Sequence, residues 1–192
     1  MLSEPLLVVA RIAAAFDDLS VPYIVGGSLA SSIYGIPRAT QDVDLVADLR
    51  LEHAEPFTAA LINDYYVDLD MVTDAIRCRA SFNVVHLATM FKADIFVPSW
   101  DSWTRQEFVR GRQEHFDIAK KSVRVRFASP EDTLLHKLVW YKLGNEVSER
   151  QWRDVIGIMK VQGGQLDDAY LDTWAEAIGV MALLMRARRE VD

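Results

Sequence analysis

The spacing of apolar residues predicts a sheet with helices over the first two thirds of the chain and helices alone over the last third. Helical spacing marks 4–19, 28–34, 52–63, 71–79 and 102–111, whereas strand-like runs mark 23–25, 42–46, 82–87, 91–97 and 123–128. The short connection at 88–90 predicts a hairpin. Four further helices are predicted at 130–143, 148–161, 166–177 and 179–189. We therefore expect an α+β fold, with an α/β domain at 1–128 and a C-terminal helical subdomain at 129–192.

The first predicted strand ends in a turn that is suited to binding phosphate. Gly26, Gly27 and Ser28 separate this strand from the next helix. Glycine leaves the backbone accessible and permits positive φ, and a helix start presents free N–H groups at the positive end of its dipole. The turn therefore predicts a binding site for a triphosphate, and we call residues 26–28 the phosphate turn.

A second motif lies on the following strand, where Asp42 and Asp44 are separated by one apolar residue. Side chains two residues apart on a strand point to the same face, so the two carboxylates should lie together. Carboxylate oxygens are hard ligands that suit magnesium, which neutralises triphosphate charge in nucleotidyl transfer. Thirteen residues separate Ser28 from Asp42.

This arrangement resembles the nucleotidyltransferase superfamily of the polymerase-β type. The string VGGSLASSIYGIPRATQDVDL is similar in particular to the minimal and AbiEii-type bacterial members. The resemblance implies a mixed sheet flanked by helices, two Mg²⁺ ions (or Mn²⁺) and an NTP substrate. It also implies a third carboxylate on a later strand, for which Asp94 is the candidate; the alternative is that Asp94 accepts hydrogen bonds from the backbone or from arginine. The expected catalytic and metal-binding residues are Asp42, Asp44 and Asp94.

The same resemblance extends the nucleotide site beyond Gly26, Gly27 and Ser28. Arg38 and Thr40 fall where residues beside the phosphate turn are expected, although Arg38 could instead pair with one of the strand aspartates. Further along the chain, the helix after Ser129 is similar to a helix of AbiEii-type toxins. By that similarity, Lys137 faces the nucleotide and Asp154 on the next helix supports it; the alternative for Lys137 is an exposed helix charge.

The remaining aromatic and histidine residues carry no recognisable motif. His86, His115 and His136 lack the spacing of zinc ligands. Tryptophans at helical spacing are more typical of a core than of a binding surface. We expect core positions for Trp140, Trp152 and Trp174.

Composition indicates the compartment and the kinds of partner to expect. The net charge of −7 disfavours indiscriminate binding to nucleic acid, although residues 105–126 form a basic stretch. With one cysteine, Cys78, no intrachain disulfide can form. No apolar run reaches the ~20 residues needed to cross a bilayer, and Glu4 stands where a signal peptide would carry positive charge. We expect a cytoplasmic protein that has no membrane partner.

Two classes of function stay open. The first is an enzyme that transfers NMP from an NTP to an acceptor hydroxyl. Its acceptor would be RNA (tRNA by the toxin resemblance), a protein side chain or a small molecule such as an aminoglycoside. The second is a regulatory nucleotidyltransferase-fold protein acting as one half of a toxin–antitoxin pair, with a cognate antitoxin as partner. The presence of the phosphate turn and all three aspartates favours the enzyme. The acceptor, the base of the NTP and the oligomeric state stay open.

Overall fold

The computed structural model of the chain describes residues 3–118 and 121–191. Its helices are α1 (Ser3–Asp18), α2 (Gly27–Tyr34), α3 (Leu51–Leu61), α4 (Leu69–Cys78), α5 (Ser102–Arg110), α6 (Pro130–Leu143), α7 (Glu149–Gln162), α8 (Asp168–Ala177) and α9 (Met181–Val191). Its strands are β1 (Tyr23–Val25), β2 (Asp42–Ala47), β3 (Tyr65–Tyr66), β4 (Ser81–His86), β5 (Lys92–Phe96), β6 (Arg112–Ile118) and β7 (Lys121–Phe127).

The described strands form one mixed sheet in the order β3-β4-β5-β2-β1-β7-β6. The pairs β2–β5 and β1–β7 are parallel, whereas β1–β2, β3–β4, β4–β5 and β6–β7 are antiparallel. The predicted hairpin is therefore confirmed as β4–β5. The prediction of an α+β fold with a mixed sheet is also confirmed.

The two-residue period of β2 separates a buried face from a partly open face. Val43, Leu45 and Ala47 are fully buried, whereas Asp42 and Asp44 are half-buried on the opposite face. The apolar face packs against α1 and α3, whose Phe16 and Phe57 rings stack with centroids 4.9 Å apart. Core packing thus fixes which way the two aspartates point.

The C-terminal helices pack directly on α2, the helix that follows the phosphate turn. α6 and α7 pack against each other, and both contact α2. Ser129 caps α6 by accepting a hydrogen bond from the backbone N–H of Asp132 at 3.1 Å, as its sequence position predicts. The division into domains at residue 128 stays a prediction. None of the described helices is long and apolar enough to cross a membrane.

Some elements differ from the predicted ones. β3 and β6 were not predicted, and these two strands are the edges of the sheet. Trp152 is buried and Trp174 packs against the core, but Trp140 is 56% exposed, so the prediction of a core position is wrong for Trp140. Positions 119 and 120, part of the basic stretch, lie outside the described residues.

Candidate active site

The phosphate turn is pressed against the strand that carries the two aspartates. Gly26 donates its backbone N–H to the carbonyl of Asp44 at 2.9 Å, which ties the turn to β2. Gly27 has φ of +59°, and a Cβ built there would lie 1.8 Å from Oδ2 of Asp44. A side chain at Gly27 would therefore both strain the backbone and collide with the carboxylate.

The space around Gly26 is open, in contrast to Gly27. A Cβ built on Gly26 would meet no atom within 4 Å. α2 begins immediately after it, at Gly27, and no side chain caps the start of this helix. The first N–H groups of α2 are thus left for an external acceptor, and the adjoining space has room for one.

The three aspartates lie on one face of two neighbouring strands. In the parallel pairing of β2 with β5, Asp44 lies opposite Asp94 and Asp42 lies opposite Lys92. Burial raises the pKa of the Asp44 carboxyl, and the charges of Asp42 and Asp94 raise it further, against a smaller opposing effect from Lys137 and Lys92. The carboxylates are therefore close enough to repel one another.

Asp94 is held by a lysine of its own strand. Lys92 Nζ lies 2.7 Å from Asp94 Oδ2, so the partner of Asp94 is neither the backbone nor an arginine. Over residues 3–118 and 121–191, no three side chains of His, Cys, Asp or Glu are arranged as a group that could hold a metal ion. The metal-binding role of Asp42, Asp44 and Asp94 stays a prediction.

The chemistry of the three aspartates nevertheless fits a divalent cation. Like charges gathered in a half-buried site are unfavourable, and a cation that accepts carboxylate oxygens would remove that repulsion. The only counter-charge that contacts them directly in the described chain is Lys92, whose side chain is 42% exposed. The donors at this face are thus of the type that magnesium prefers, and their role as its ligands stays a prediction.

Arg38, Lys137 and Asp154 form one ion-pair network beside the phosphate turn. Arg38 donates to both carboxylate oxygens of Asp154, at 2.9 and 2.7 Å, and Lys137 Nζ lies 2.9 Å from Oδ2. Arg38 Nη2 also donates to Ser28 Oγ at 2.8 Å. The alternative in which Arg38 pairs with a strand aspartate is therefore wrong, and so is the alternative of an exposed Lys137, which is 4% exposed.

This network is electrostatically coupled through the buried carboxylate. Burial raises the pKa of Asp154, but the hydrogen bond from Arg38 and the charge of Lys137 outweigh it, and the net pKa is lowered. The pKa of Lys137 is lowered, because burial outweighs its attraction to Asp154. Asp154 thus holds both Lys137 and Arg38, the latter in contact with Ser28, in a partly dehydrated place.

Thr40 acts on Asp42 in the structure, since its contact is with that aspartate and not with the phosphate turn. Its hydroxyl lies 2.8 Å from the Asp42 carbonyl oxygen and 3.1 Å from Asp42 Oδ1. The contact fixes the start of β2 and the orientation of the first carboxylate.

No protein-family model matches the sequence, and no curated protein matches it. Among solved structures, the chain is similar to the antibiotic-resistance factor ANT(2'')-Ia in solution, with a TM-score of 0.53 and 17% identity over 99% of this chain and 95% of that chain. The complex of ANT(2'')-Ia with adenylyl-2''-tobramycin gives a TM-score of 0.53 at 16% identity, over 97% and 99% of the two chains. An antigenic nucleotidyltransferase-like protein from Paracoccidioides brasiliensis gives 0.51 at 18% identity, over 94% and 91%.

The chain has the nucleotidyltransferase fold. At these identities the likeness concerns the fold, so the roles of individual residues rest on the geometry of this chain. The similarity to AbiEii-type members stays a prediction.

Sequence reasoning missed two contacts beside the site of this nucleotidyltransferase fold. Lys92 could have been found, because the period of β5 puts it on the face of Asp94. The second contact joins His136 on α6 to Glu107, the buried residue of α5, across 29 positions of sequence. No local pattern signals that pairing.

A cavity of about 520 Å³ lies away from the candidate residues. Tyr23, Trp100, Phe108 and Arg126 contribute to its lining, and it opens near the first residue of β1, whereas the phosphate turn follows the last. None of the predicted site residues lines it.

Proposed function

We propose that the chain is a magnesium-dependent nucleotidyltransferase that transfers NMP from an NTP to an acceptor hydroxyl. The observation that carries the proposal is the direct contact between Gly27 and the Asp44 carboxylate. By this contact the start of α2, the proposed phosphate-binding element, lies against the aspartate-bearing face of β2 and β5. Such a juxtaposition serves a ligand that carries both phosphates and a cation.

The nucleotide would lie with its outer phosphates over the turn. The N–H groups at the start of α2 would donate to phosphate oxygens above Gly26, where the space is open. Arg38 and Lys137 would add positive charge from the Asp154 network. These contacts hold the triphosphate and orient its α-phosphate toward β2 and β5.

Asp42, Asp44 and Asp94 would hold magnesium, which when bound neutralises the triphosphate and the leaving pyrophosphate. The acceptor oxygen forms a bond to the α-phosphorus while the bond to the bridging oxygen breaks and pyrophosphate leaves. Asp94 lies on β5, which is farther in the sheet from the phosphate turn than β2 is. Its carboxylate would accept the proton of the acceptor hydroxyl after Lys92 moves off it.

A small hydroxylated molecule is the acceptor class that the observations favour. One structurally similar protein was solved with adenylyl-2''-tobramycin, an adenylylated small molecule. Part of the basic stretch that would favour RNA is engaged within the chain: Arg110 pairs with Glu131 and Asp167, and Arg126 donates to the carbonyl of Phe108. These two arginines are therefore less available to neutralise a nucleic-acid backbone. RNA, and with it a role as a toxin, is the second candidate.

The test is transfer of label from each α-labelled NTP, with magnesium, to aminoglycosides, total RNA or lysate protein. We expect labelled aminoglycoside from the wild type and none from Asp44→Asn. Asp74→Asn, at an exposed aspartate of α4, should behave as wild type. Labelling of RNA alone would replace the acceptor but keep the reaction. Equally poor NTP binding by wild type and Asp44→Asn, with no transfer, would refute the proposal.

A further inference from the structure

The face of the sheet that carries the three aspartates continues past them onto β4. Alternate residues of β2, β5 and β4 are buried on the opposite side, namely Val43, Leu45, Ala93, Ile95, Phe82 and Val84. The residues between them, Asp44, Asp94 and Asn83, therefore share one side. α3 lies on the buried side, where the ring of Phe57 meets that of Phe82 edge-on with centroids 6.1 Å apart. Asn83, on the other side, is exposed.

The strand register places Asn83 next to the third aspartate. Asp94 lies opposite Asp44 in the parallel pair β2–β5 and opposite Asn83 in the antiparallel pair β4–β5. Side chains that lie opposite each other on one face are about 5 Å apart, so Asp44 and Asn83 flank Asp94 on its two sides. The phosphate turn follows β1, on the other side of β2 from β5. A row thus runs from the turn through Asp44 and Asp94 to Asn83.

This order matches the order of the groups that react in nucleotidyl transfer. The triphosphate would lie at the turn, the cation between Asp44 and Asp94, and the attacking hydroxyl at Asp94. The rest of the acceptor molecule must then lie beyond Asp94, which is where β4 carries Asn83.

A neighbouring row of the same face contributes an aromatic ring. Val85 of β4 lies opposite Lys92, and Tyr66 of the edge strand β3 lies opposite Val85. Tyr65 points to the buried side, where its hydroxyl donates to a backbone carbonyl of α1 at 3.0 Å, so Tyr66 points to the open side. Tyr66 is 56% exposed. It is the diagonal neighbour of Asn83 across the β3–β4 pair, a separation of about 7–8 Å that an aromatic side chain can bridge.

The side chains along these rows are of the types that recognise a hydroxylated ring. The amide of Asn83 offers two donor hydrogens and an acceptor oxygen, and a tyrosine ring offers an apolar face with a polar end. Asparagine is depleted in strands, and an exposed asparagine adds nothing to the core. The three aspartates outweigh Lys92 on this face, so a polyanion such as nucleic acid is disfavoured there.

We propose that Asn83 and Tyr66 bind the acceptor, and that the acceptor is a small molecule with neighbouring hydroxyls on a ring. This inference rests on the proposed nucleotidyl transfer. One hydroxyl lies at Asp94 and reacts, a second exchanges hydrogen bonds with the amide of Asn83, and the ring packs on Tyr66. Both residues lie across β5 from the phosphate turn, so they determine the affinity for the acceptor and leave that for the nucleotide unchanged.

The experiment is steady-state kinetics of transfer from an α-labelled NTP to tobramycin with magnesium, together with calorimetric titration of each variant with the NTP. We expect Asn83→Ala to raise the KM of tobramycin by about 3- to 10-fold, the range of a neutral hydrogen bond. Tyr66→Ala should raise it as well, whereas Tyr66→Phe keeps the ring and should stay near wild type. The Kd of the NTP should be unchanged in all three.

The matched control is Gln113→Ala, which removes an exposed amide from β6 at the opposite edge of the sheet and should behave as wild type. NMR adds a readout that does not depend on turnover. Tobramycin should shift the side-chain amide resonances of Asn83 and leave those of Gln113 in place. Asn83 and Tyr66 are both exposed, so the melting temperatures of their alanine variants should stay near that of wild type.

Four outcomes count against the inference. An unchanged KM of tobramycin in either alanine variant would overturn it, and so would an equal loss of affinity for the NTP. Labelling of RNA or protein without labelling of tobramycin would overturn it too. In these three cases transfer of label by the wild type would leave the proposed reaction standing. A wild type that transfers no label to any acceptor would overturn both.

Discussion

Gly27→Ala tests the contact on which the site depends. The new Cβ would begin 1.8 Å from Asp44 Oδ2, so the carboxylate oxygen must retreat by roughly 2 Å to reach ordinary van der Waals contact. Left-handed backbone costs alanine about 1–2 kcal/mol, and overpacking of this kind costs about 1–3 kcal/mol. We expect a loss of about 2–5 kcal/mol in the free energy of unfolding, measured by urea denaturation.

The same substitution should affect ligand binding beyond its effect on stability, since it moves a carboxylate of the site. A misplacement of about 1 Å can cost about 100-fold in rate. Gly26→Ala provides the contrast, because its Cβ meets nothing within 4 Å. It should keep the stability within about 0.5 kcal/mol of wild type while weakening triphosphate binding by filling the open space. Gly164→Ala, also in open space, should leave both unchanged.

A double-mutant cycle separates the two costs of Gly27→Ala. In an Asp44→Ala background the colliding oxygen is gone and only the Cβ of residue 44, 3.0 Å away, stays close, so the cost should fall toward the backbone cost of about 1–2 kcal/mol. An equal cost of Gly27→Ala in both backgrounds would refute the steric argument. A stability equal to that of Gly164→Ala would refute the conformational argument as well.

The remaining predictions concern charges and hydrogen bonds around the same turn. Asp154→Ala leaves Lys137 and Arg38 without their shared carboxylate and should lower the free energy of unfolding by about 3–5 kcal/mol, measured by urea denaturation. A loss no larger than that from breaking an exposed ion pair would contradict the network. Because the pKa of Asp44 is raised, mainly by burial, the folded chain keeps that proton to higher pH than the unfolded chain. Wild type should therefore lose stability relative to Asp44→Asn as pH rises above about 4, and parallel pH profiles of melting temperature would exclude this. Thr40→Val removes the hydroxyl contact with the residue that begins β2 and should cost about 1 kcal/mol, with weaker magnesium binding in calorimetry.

Local sequence patterns were sufficient to predict the helices and strands that carry the candidate site. The glycine turn, the two-residue period of β2 and the β4–β5 hairpin each depend on residues close in sequence, and all were predicted. β3 and β6 were not, because edge strands take their hydrogen bonds from one neighbour and need little apolar alternation. β6 reads RQEHFDI, which has no continuous apolar face.

Charge pairing across the fold was the part that the sequence did not predict. The resemblance associated Lys137 with Asp154, but nothing in the sequence indicated that Arg38, 116 positions away, shares the same carboxylate. Nor did it link Glu107 to His136. Such pairs form where helices from distant segments meet, and each partner alone is indistinguishable from an exposed charge.

The unfavourable features of the described chain converge on Asp44. Its carboxylate is half-buried, lies with two other aspartates, and leaves so little room that α2 must begin with a glycine, which also has positive φ. A fold selected for stability alone would be better served by asparagine there, because the shape would be kept and the repulsion lost. Costs of this kind persist where the structure is arranged for a ligand that removes them. A cation shared with a triphosphate would remove the repulsion and fill the open space above Gly26 in one step.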